Sequence, residues 1–201
     1  MNNIYLYEYT SLFEKVLSYA YKNHYSIDAL ERGISYSSFF QKIEKDHDTL
    51  PSYITDRELL KEIFNNTYRE SLPITSYNQC LWAAESYLRI QEETKLTFEA
   101  IFIYLPIEKM YQYFDLYHEM DFSQIVKEFI RLFNEESVLS ILMKKYGYSL
   151  KGVSEKLDIS YDTLKSLKNR TRDIKKVDIN IIYKLSSFFN VRMETIAELS
   201  L

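Results

Sequence analysis

Residues 146–171 read YGYSLKGVSEKLDISYDTLKSLKNRT and contain two short helical patterns placed almost end to end. In the first pattern, Leu150, Val153 and Leu157 recur at intervals of three and four residues, which places them on one face of an α-helix. Ser149 stands directly before them, where its side chain can cap the helix. This spacing predicts a short helix with one buried apolar face.

Only two residues, Asp158 and Ile159, separate the second pattern from the first. Ser160 can cap it, and Leu164 and Leu167 point back to the core that the first helix covers. The opposite side of this second helix is therefore predicted to face solvent. The residues predicted to be exposed there are Tyr161, Asp162, Lys165, Ser166 and Asn169. The first helix thus supports a second helix that projects from the surface.

Helical neighbours flank this pair, because VLSILMKKY precedes it and INIIYKLSSFFNV follows it and would close a small bundle. With these neighbours, residues 138–197 resemble the Cro-like, or XRE, helix-turn-helix DNA-binding domains of phage and bacterial regulators. The matching positions are Gly147, Ser149, Val153, Leu157, Ile159, Ser160, Tyr161, Asp162, Thr163, Leu164, Leu167, Asn169 and, in the turn before the last helix, Val191. Asp158 departs from the family, whose turn usually has glycine at that position.

The resemblance implies that residues 160–169 form a recognition helix that lies in the major groove of double-stranded DNA. The positions that would read base edges are Tyr161, Asp162, Lys165 and Ser166. The positions that would contact phosphate groups are Ser149, Lys151, Lys168, Asn169, Arg170, Thr171, Arg172, Lys175 and Lys176. The family's usual binding to two-fold sites implies a homodimer.

Charge divides the chain into two parts. Residues 136–201 contain 12 Lys and Arg against 8 Asp and Glu, whereas residues 1–135 contain 13 against 21. The basic part can bind phosphate groups, which would repel the acidic part. We therefore predict a partner-binding or oligomerisation domain over 1–135 and a DNA-binding domain over 136–201.

The acidic part also has helical signals. With only three Gly and three Pro in 201 residues, helices are favoured throughout. Thr55 and Glu58 fit a capping box at the start of TDRELLKEIF. A short helix over SIDALER is predicted to stop at Gly33, and Ser35 is predicted to cap the next one. The predicted fold class is all-α, with a helical N-terminal domain followed by a small helix-turn-helix bundle.

One internal similarity links the two parts. YSIDALERGISYSSFFQKIEK at 25–45 resembles YSLKGVSEKLDISYDTLKSLKN at 148–169, and their ISY triplets lie 125 residues apart. A true repeat would explain this similarity, but a chance likeness between two pairs of capped short helices is the simpler interpretation.

Catalytic, metal and cofactor sites are not predicted. Asp115 and His118 have a spacing that metal ligands use on helices, but no second carboxylate-x-x-His is present to complete a bundle site. Cys80, the only cysteine, is expected to be buried as a small apolar residue. The lone cysteine, the absence of a signal-peptide pattern at the start and the shortness of the apolar run at 100–105 predict a cytoplasmic protein that does not enter a membrane.

The predicted function is that of a dimeric, sequence-specific DNA-binding transcriptional regulator of the phage-repressor type. The alternative is an antitoxin or anti-defence protein that binds and masks a protein partner through its acidic residues 1–135. The two functions are compatible, because antitoxins commonly repress their own operon.

Overall fold

The computed structural model describes residues 3–45, 55–64, 78–172 and 176–197. The regular elements in these ranges are helices and none is a strand, which confirms the prediction of an all-α chain. The helices are α1 (Asn3–Lys22), α2 (Ile27–Tyr36), α3 (Ser38–Lys45), α4 (Asp56–Phe64), α5 (Asn78–Thr94), α6 (Phe98–Tyr104), α7 (Ile107–Tyr117), α8 (Ser123–Glu135), α9 (Val138–Lys145), α10 (Leu150–Leu157), α11 (Tyr161–Lys168), α12 (Ile179–Phe189) and α13 (Met193–Ala197). Across the described ranges, no helix is both long and apolar enough to cross a lipid bilayer.

The chain divides into two compact units, residues 1–129 and residues 130–201. We refer to them as unit 1 and unit 2. The division falls inside α8, six residues before the boundary at 135 that the charge distribution predicts.

Unit 1 has an aromatic core in which α1 packs most extensively against α5. Phe13 of α1 lies at its centre, with ring centroids 4.6 Å from Phe40, 5.7 Å from Phe98 and 6.0 Å from Tyr87. Such edge-to-face and offset contacts between rings add to the stabilisation from burial. The abundance of Phe and Tyr in the sequence thus supplies the core of this unit.

The capping box predicted at the start of α4 is confirmed. Thr55 Oγ1 accepts a hydrogen bond from the Glu58 backbone N–H at 3.3 Å, and the Thr55 N–H donates to Glu58 Oε2 at 2.8 Å. These hydrogen bonds lower the pKa of the Glu58 carboxyl, first through the backbone of Thr55 and then through its side chain. The predicted local signal therefore sets the first turn of this helix.

The prediction that a helix stops at Gly33 is wrong. Helix α2 continues through Gly33 to Tyr36, and Ser35 does not cap the next helix, because its hydroxyl donates to the Glu31 carbonyl within α2. A Cβ atom at Gly33 would lie 2.7 Å from Cγ2 and 2.8 Å from the carbonyl oxygen of Ile63 in α4. Glycine is needed here because α2 and α4 approach closely.

The Gly33→Ala variant tests this close approach. Helix propensity alone would make it more stable by about 1 kcal/mol, but the clash with the Ile63 backbone should instead make it less stable by about 1–3 kcal/mol. Urea denaturation followed by the fluorescence of Trp82 would measure the change in unit 1. Arg32→Ala, an exposed position in the same helix, is the control and should stay within about 0.5 kcal/mol of the parent. A stabilised Gly33→Ala protein would contradict the packing argument.

The two ISY triplets have different structures. Ile34, Ser35 and Tyr36 form the last turn of α2, whereas residues 159–161 span the turn between two helices and the start of α11. Helix α3 also buries Phe39 against the core of unit 1. Residues 25–45 therefore do not form a second helix-turn-helix of the geometry found at 148–169.

Unit 2 is a small helical bundle. Both predicted N-caps are confirmed, since the Ser149 hydroxyl accepts from the Gly152 N–H at 3.0 Å and the Ser160 hydroxyl from the Thr163 N–H at 3.2 Å. The apolar residues buried in this bundle include Val138, Leu139, Leu142, Val153, Ile159, Leu164, Leu167, Ile182, Leu185, Phe189 and Ile196. The apolar periodicity of α10 and α11 thus brings the two helices onto one core.

Candidate nucleic-acid interface

The turn between α10 and α11 is compact and internally bonded. Asp158 has the left-handed conformation, with φ 50° and ψ 54°, and Ile159 is buried beneath the turn. The Ile159 N–H donates to the Ser154 carbonyl at 3.2 Å, and the Ser154 hydroxyl donates to the Ile159 carbonyl at 2.6 Å. Lys184 Nζ, from α12, donates to the Leu157 carbonyl at 2.8 Å. These bonds fix the direction in which α11 leaves the turn.

Asp158→Gly should stabilise unit 2 by about 0.5–1 kcal/mol, because glycine adopts a left-handed conformation without the steric cost that a side chain brings. Asp158→Val, at the same position, has the opposite expected effect. It should destabilise the unit by at least about 1 kcal/mol, since a β-branched residue fits this conformation poorly. Thermal denaturation followed by circular dichroism would rank the three proteins. A Val variant as stable as the parent would mean that the turn can change its conformation freely.

The residues predicted to read bases lie together on α11. Tyr161, Asp162 and Lys165 are exposed, and Tyr161 has 49% of its surface accessible. Ser166 is half-buried and its hydroxyl donates to the Thr163 carbonyl at 2.8 Å, which leaves its oxygen lone pairs as acceptors. The structure thus brings three side chains to one open helix face and places the fourth at the edge of it.

Most residues predicted to contact phosphate groups are open to solvent. Those that are exposed are Ser149, Lys151, Asn169, Thr171, Arg172 and Lys176, while Lys168 is half-buried. Arg172 Nη1 donates to Thr163 Oγ1 at 3.3 Å, and Lys151 Nζ lies 3.7 Å from Glu155 in an exposed ion pair. Such exposed contacts contribute little and can be exchanged for a phosphate group. Lys175 lies outside the described residues.

Arg170 differs from the other phosphate candidates. Its backbone is left-handed, with φ 54°, and its guanidinium carbon lies 4.3 Å from the centroid of the Phe133 ring. Its Nη2 donates to the Glu136 carbonyl at 3.1 Å. The Arg170 side chain therefore attaches the end of α11 to Phe133 and Glu136. The sequence has no local signal for this contact, because 34 residues separate Arg170 from Glu136.

Glu136 also binds the end of α9. Its carboxylate accepts from the Ser140 hydroxyl at 2.6 Å and lies 2.6 Å from Lys144 Nζ. Partial burial of the Glu136 carboxyl raises its pKa, but the hydrogen bonds from Lys144 and Ser140 outweigh that effect and the net pKa is lowered. An ionised Glu136 thus holds one lysine of the basic region in place.

The other candidate chemical groups do not form a site among the described residues. No three His, Cys, Asp or Glu side chains there are grouped so that they could hold a metal ion. Cys80 is buried, as predicted, and its Sγ lies 3.7 Å from the Tyr111 hydroxyl. Burial raises the pKa of the Cys80 thiol, so the thiolate form is disfavoured.

Comparison with protein families gave one match, in which residues 138–200 fit the Cro/C1-type HTH DNA-binding domain. This match confirms the family resemblance for the C-terminal third of the chain. Comparisons with curated proteins and with solved structures gave no match. The family assignment therefore applies to residues 138–200 alone.

Proposed function

We propose that this chain, whose residues 138–200 form a Cro/C1-type helix-turn-helix DNA-binding domain, is a sequence-specific transcriptional regulator. The observation that supports this proposal is the position of α11. Its Leu164 and Leu167 are buried, whereas Tyr161, Asp162 and Lys165 are exposed on its other side. A short helix held in this way has the shape that enters a major groove.

Base and phosphate contacts would divide between two sets of residues. Tyr161, Lys165 and Ser166 would donate to or accept from base edges, and Asp162 would accept from the amino group of cytosine or adenine. The surrounding cations would neutralise phosphates and fix the position of α11 without reading the sequence. The cations of this second set are Lys151, Lys168, Arg170, Arg172, Lys175 and Lys176.

We further propose that the protein acts as a homodimer in the cytoplasm, where the DNA that it would bind lies. Domains of this kind read two half-sites about 34 Å apart, one on each turn of the duplex. Residues 1–135 would then mediate self-association or recognise a partner. The alternative function, an antitoxin or anti-defence protein that masks a protein partner, has no observation of its own in its favour.

An electrophoretic mobility shift with the DNA directly upstream of the gene, at low salt, tests the proposal. Lys176→Ala should weaken binding to all duplexes alike, because it removes a phosphate contact, whereas Tyr161→Ala should change the preference between duplexes by about fivefold to a hundredfold. Lys61→Ala, in α4, removes the same charge outside the DNA-binding domain and is the control.

Two results would contradict this assignment. The absence of any shift at low salt would remove the proposed function. Equal behaviour of Lys176→Ala and Tyr161→Ala over a panel of duplexes would show that the exposed face of α11 does not read sequence.

A further inference from the structure

Unit 1 contains an open pocket of about 540 Å³ between α1 and α5. This volume lies in the range that small-molecule sites occupy. One wall is formed by one face of α1 and the other by Leu81, Glu85 and Arg89, which follow one another at four-residue intervals along α5. The pocket therefore runs along two helices that pack directly on each other.

The polar wall contains a buried carboxylate. Glu14 has only 5% of its surface accessible, and within the described residues only the Ser18 hydroxyl donates to it, at 2.5 Å. A carboxylate can accept about four hydrogen bonds. Most of the acceptor capacity of Glu14 is thus unused by the protein.

Thr10 lies one helical turn before Glu14 on the same wall. It is also only 5% accessible, and its hydroxyl has no hydrogen-bond partner among the residues that the structure describes. Buried hydroxyl groups normally have a partner, because leaving one unpaired is costly. The Thr10 Oγ1 atom itself has almost no accessible surface, so this hydroxyl lies behind the pocket wall and is not open to a ligand.

The charge of the pocket favours a cation. Glu85 is already paired with Arg89, whose Nη2 lies 2.8 Å from the carboxylate and whose guanidinium also lies 5.1 Å from the Phe122 ring. This pair is neutral, so Glu14 leaves one negative charge in excess. The mouth is apolar, since Leu81 and Tyr7 are 42% and 78% accessible there.

We propose that this pocket binds a small primary amine with an apolar or aromatic body. The ammonium group would donate to the Glu14 carboxylate, and the body would lie against Leu6, Leu81 and Tyr7. The proposal concerns unit 1 alone and does not depend on DNA binding by unit 2.

Isothermal titration calorimetry of the full chain with 2-phenylethylamine tests the proposal, with hexylamine as a second amine. The neutral 2-phenylethanol, the acid 3-phenylpropanoate and MgCl₂ are the ligand controls. Binding should be at least about tenfold weaker for the alcohol than for the amine, because a hydrogen bond between two charged groups is lost. The acid and MgCl₂ should not bind measurably.

Glu14→Gln should weaken amine binding by about tenfold or more, with melting temperatures recorded to confirm folding. Glu93→Gln makes the same chemical change at an exposed site on α5 outside the pocket and should have no effect. Absence of binding by both amines at 10 mM, equal binding of amine and alcohol, or undiminished amine binding by a folded Glu14→Gln protein would each overturn the proposal.

Discussion

DNA binding by this chain should weaken about a thousandfold when the salt concentration rises from 50 to 200 mM. Each lysine or arginine that neutralises a phosphate releases a counterion, so six contacts give a slope of about −5 in a plot of log affinity against log salt. The proposed phosphate set contains six cations, of which Lys151, Arg172 and Lys176 are exposed and Lys168 and Arg170 are half-buried. Fluorescence anisotropy with a labelled duplex at four or more salt concentrations would measure the slope.

The same measurement on variants identifies the contacts. Lys176→Ala should make the slope less steep by about 1, because one counterion fewer is released. Tyr161→Ala should leave the slope unchanged while the affinity for the preferred duplex falls, since Tyr161 has no charge. A slope shallower than about −2 for the parent protein would mean that most of the basic residues do not contact phosphate groups.

The free energy of unfolding of unit 1 should fall as the pH rises from 9 to 11. Burial raises the pKa of the Tyr87 hydroxyl well above its ordinary value, and it also raises the pKa of Tyr111 and of the Cys80 thiol. In the unfolded chain these groups ionise near 9.0 for cysteine and 10.0 for tyrosine. The unfolded state therefore releases protons first, and rising pH favours unfolding.

The loss should begin near pH 9 and continue until the pH passes the folded-state pKa values. Between its unfolded-state and folded-state pKa values, each buried group lowers the free energy of unfolding by about 1.4 kcal/mol per pH unit. Urea denaturation at several pH values, followed by the fluorescence of Trp82, would measure the loss in unit 1. Trp82 is the only tryptophan and lies in α5, so the signal reports on this unit.

Tyr87→Phe separates this effect from general alkaline denaturation. The Tyr87 hydroxyl is fully buried and donates to the Leu105 carbonyl at 2.9 Å. Its removal should therefore lower the free energy of unfolding by about 1 kcal/mol at pH 8. Above pH 10 the variant should lose stability less steeply than the parent, because one ionising group is gone. Tyr7→Phe, at a position 78% accessible, is the control. Identical pH curves for the parent and Tyr87→Phe would show that Tyr87 does not contribute.

Local sequence signals predicted the helix-turn-helix well. The caps Ser149 and Ser160, and the buried Val153, Leu164 and Leu167, follow from residues that lie within four positions of one another. Interactions of such short range are set by helix geometry, so they can be read without knowing the fold. The same holds for the capping box of α4.

Contacts between distant residues could not be predicted in the same way. From the sequence, Gly33 is predicted to end a helix. It lies inside α2 instead, where the close approach of Ile63 leaves no room for a Cβ atom. Arg170 is one more basic residue in sequence, but packing directs its guanidinium to Phe133. The proposed amine site depends on Glu14, which in sequence is an ordinary polar residue of an amphipathic helix.

The sequence by itself determined that the chain is helical and that a capped, solvent-facing helix starts after Ser160, because these properties depend on the order of neighbouring residues. Only the tertiary structure decided which polar groups are buried in unit 1 and which cations of unit 2 are already bonded within the protein. Burial and pairing depend on which helices meet, and contacts between helices that are far apart in the chain leave no periodic signal in the sequence.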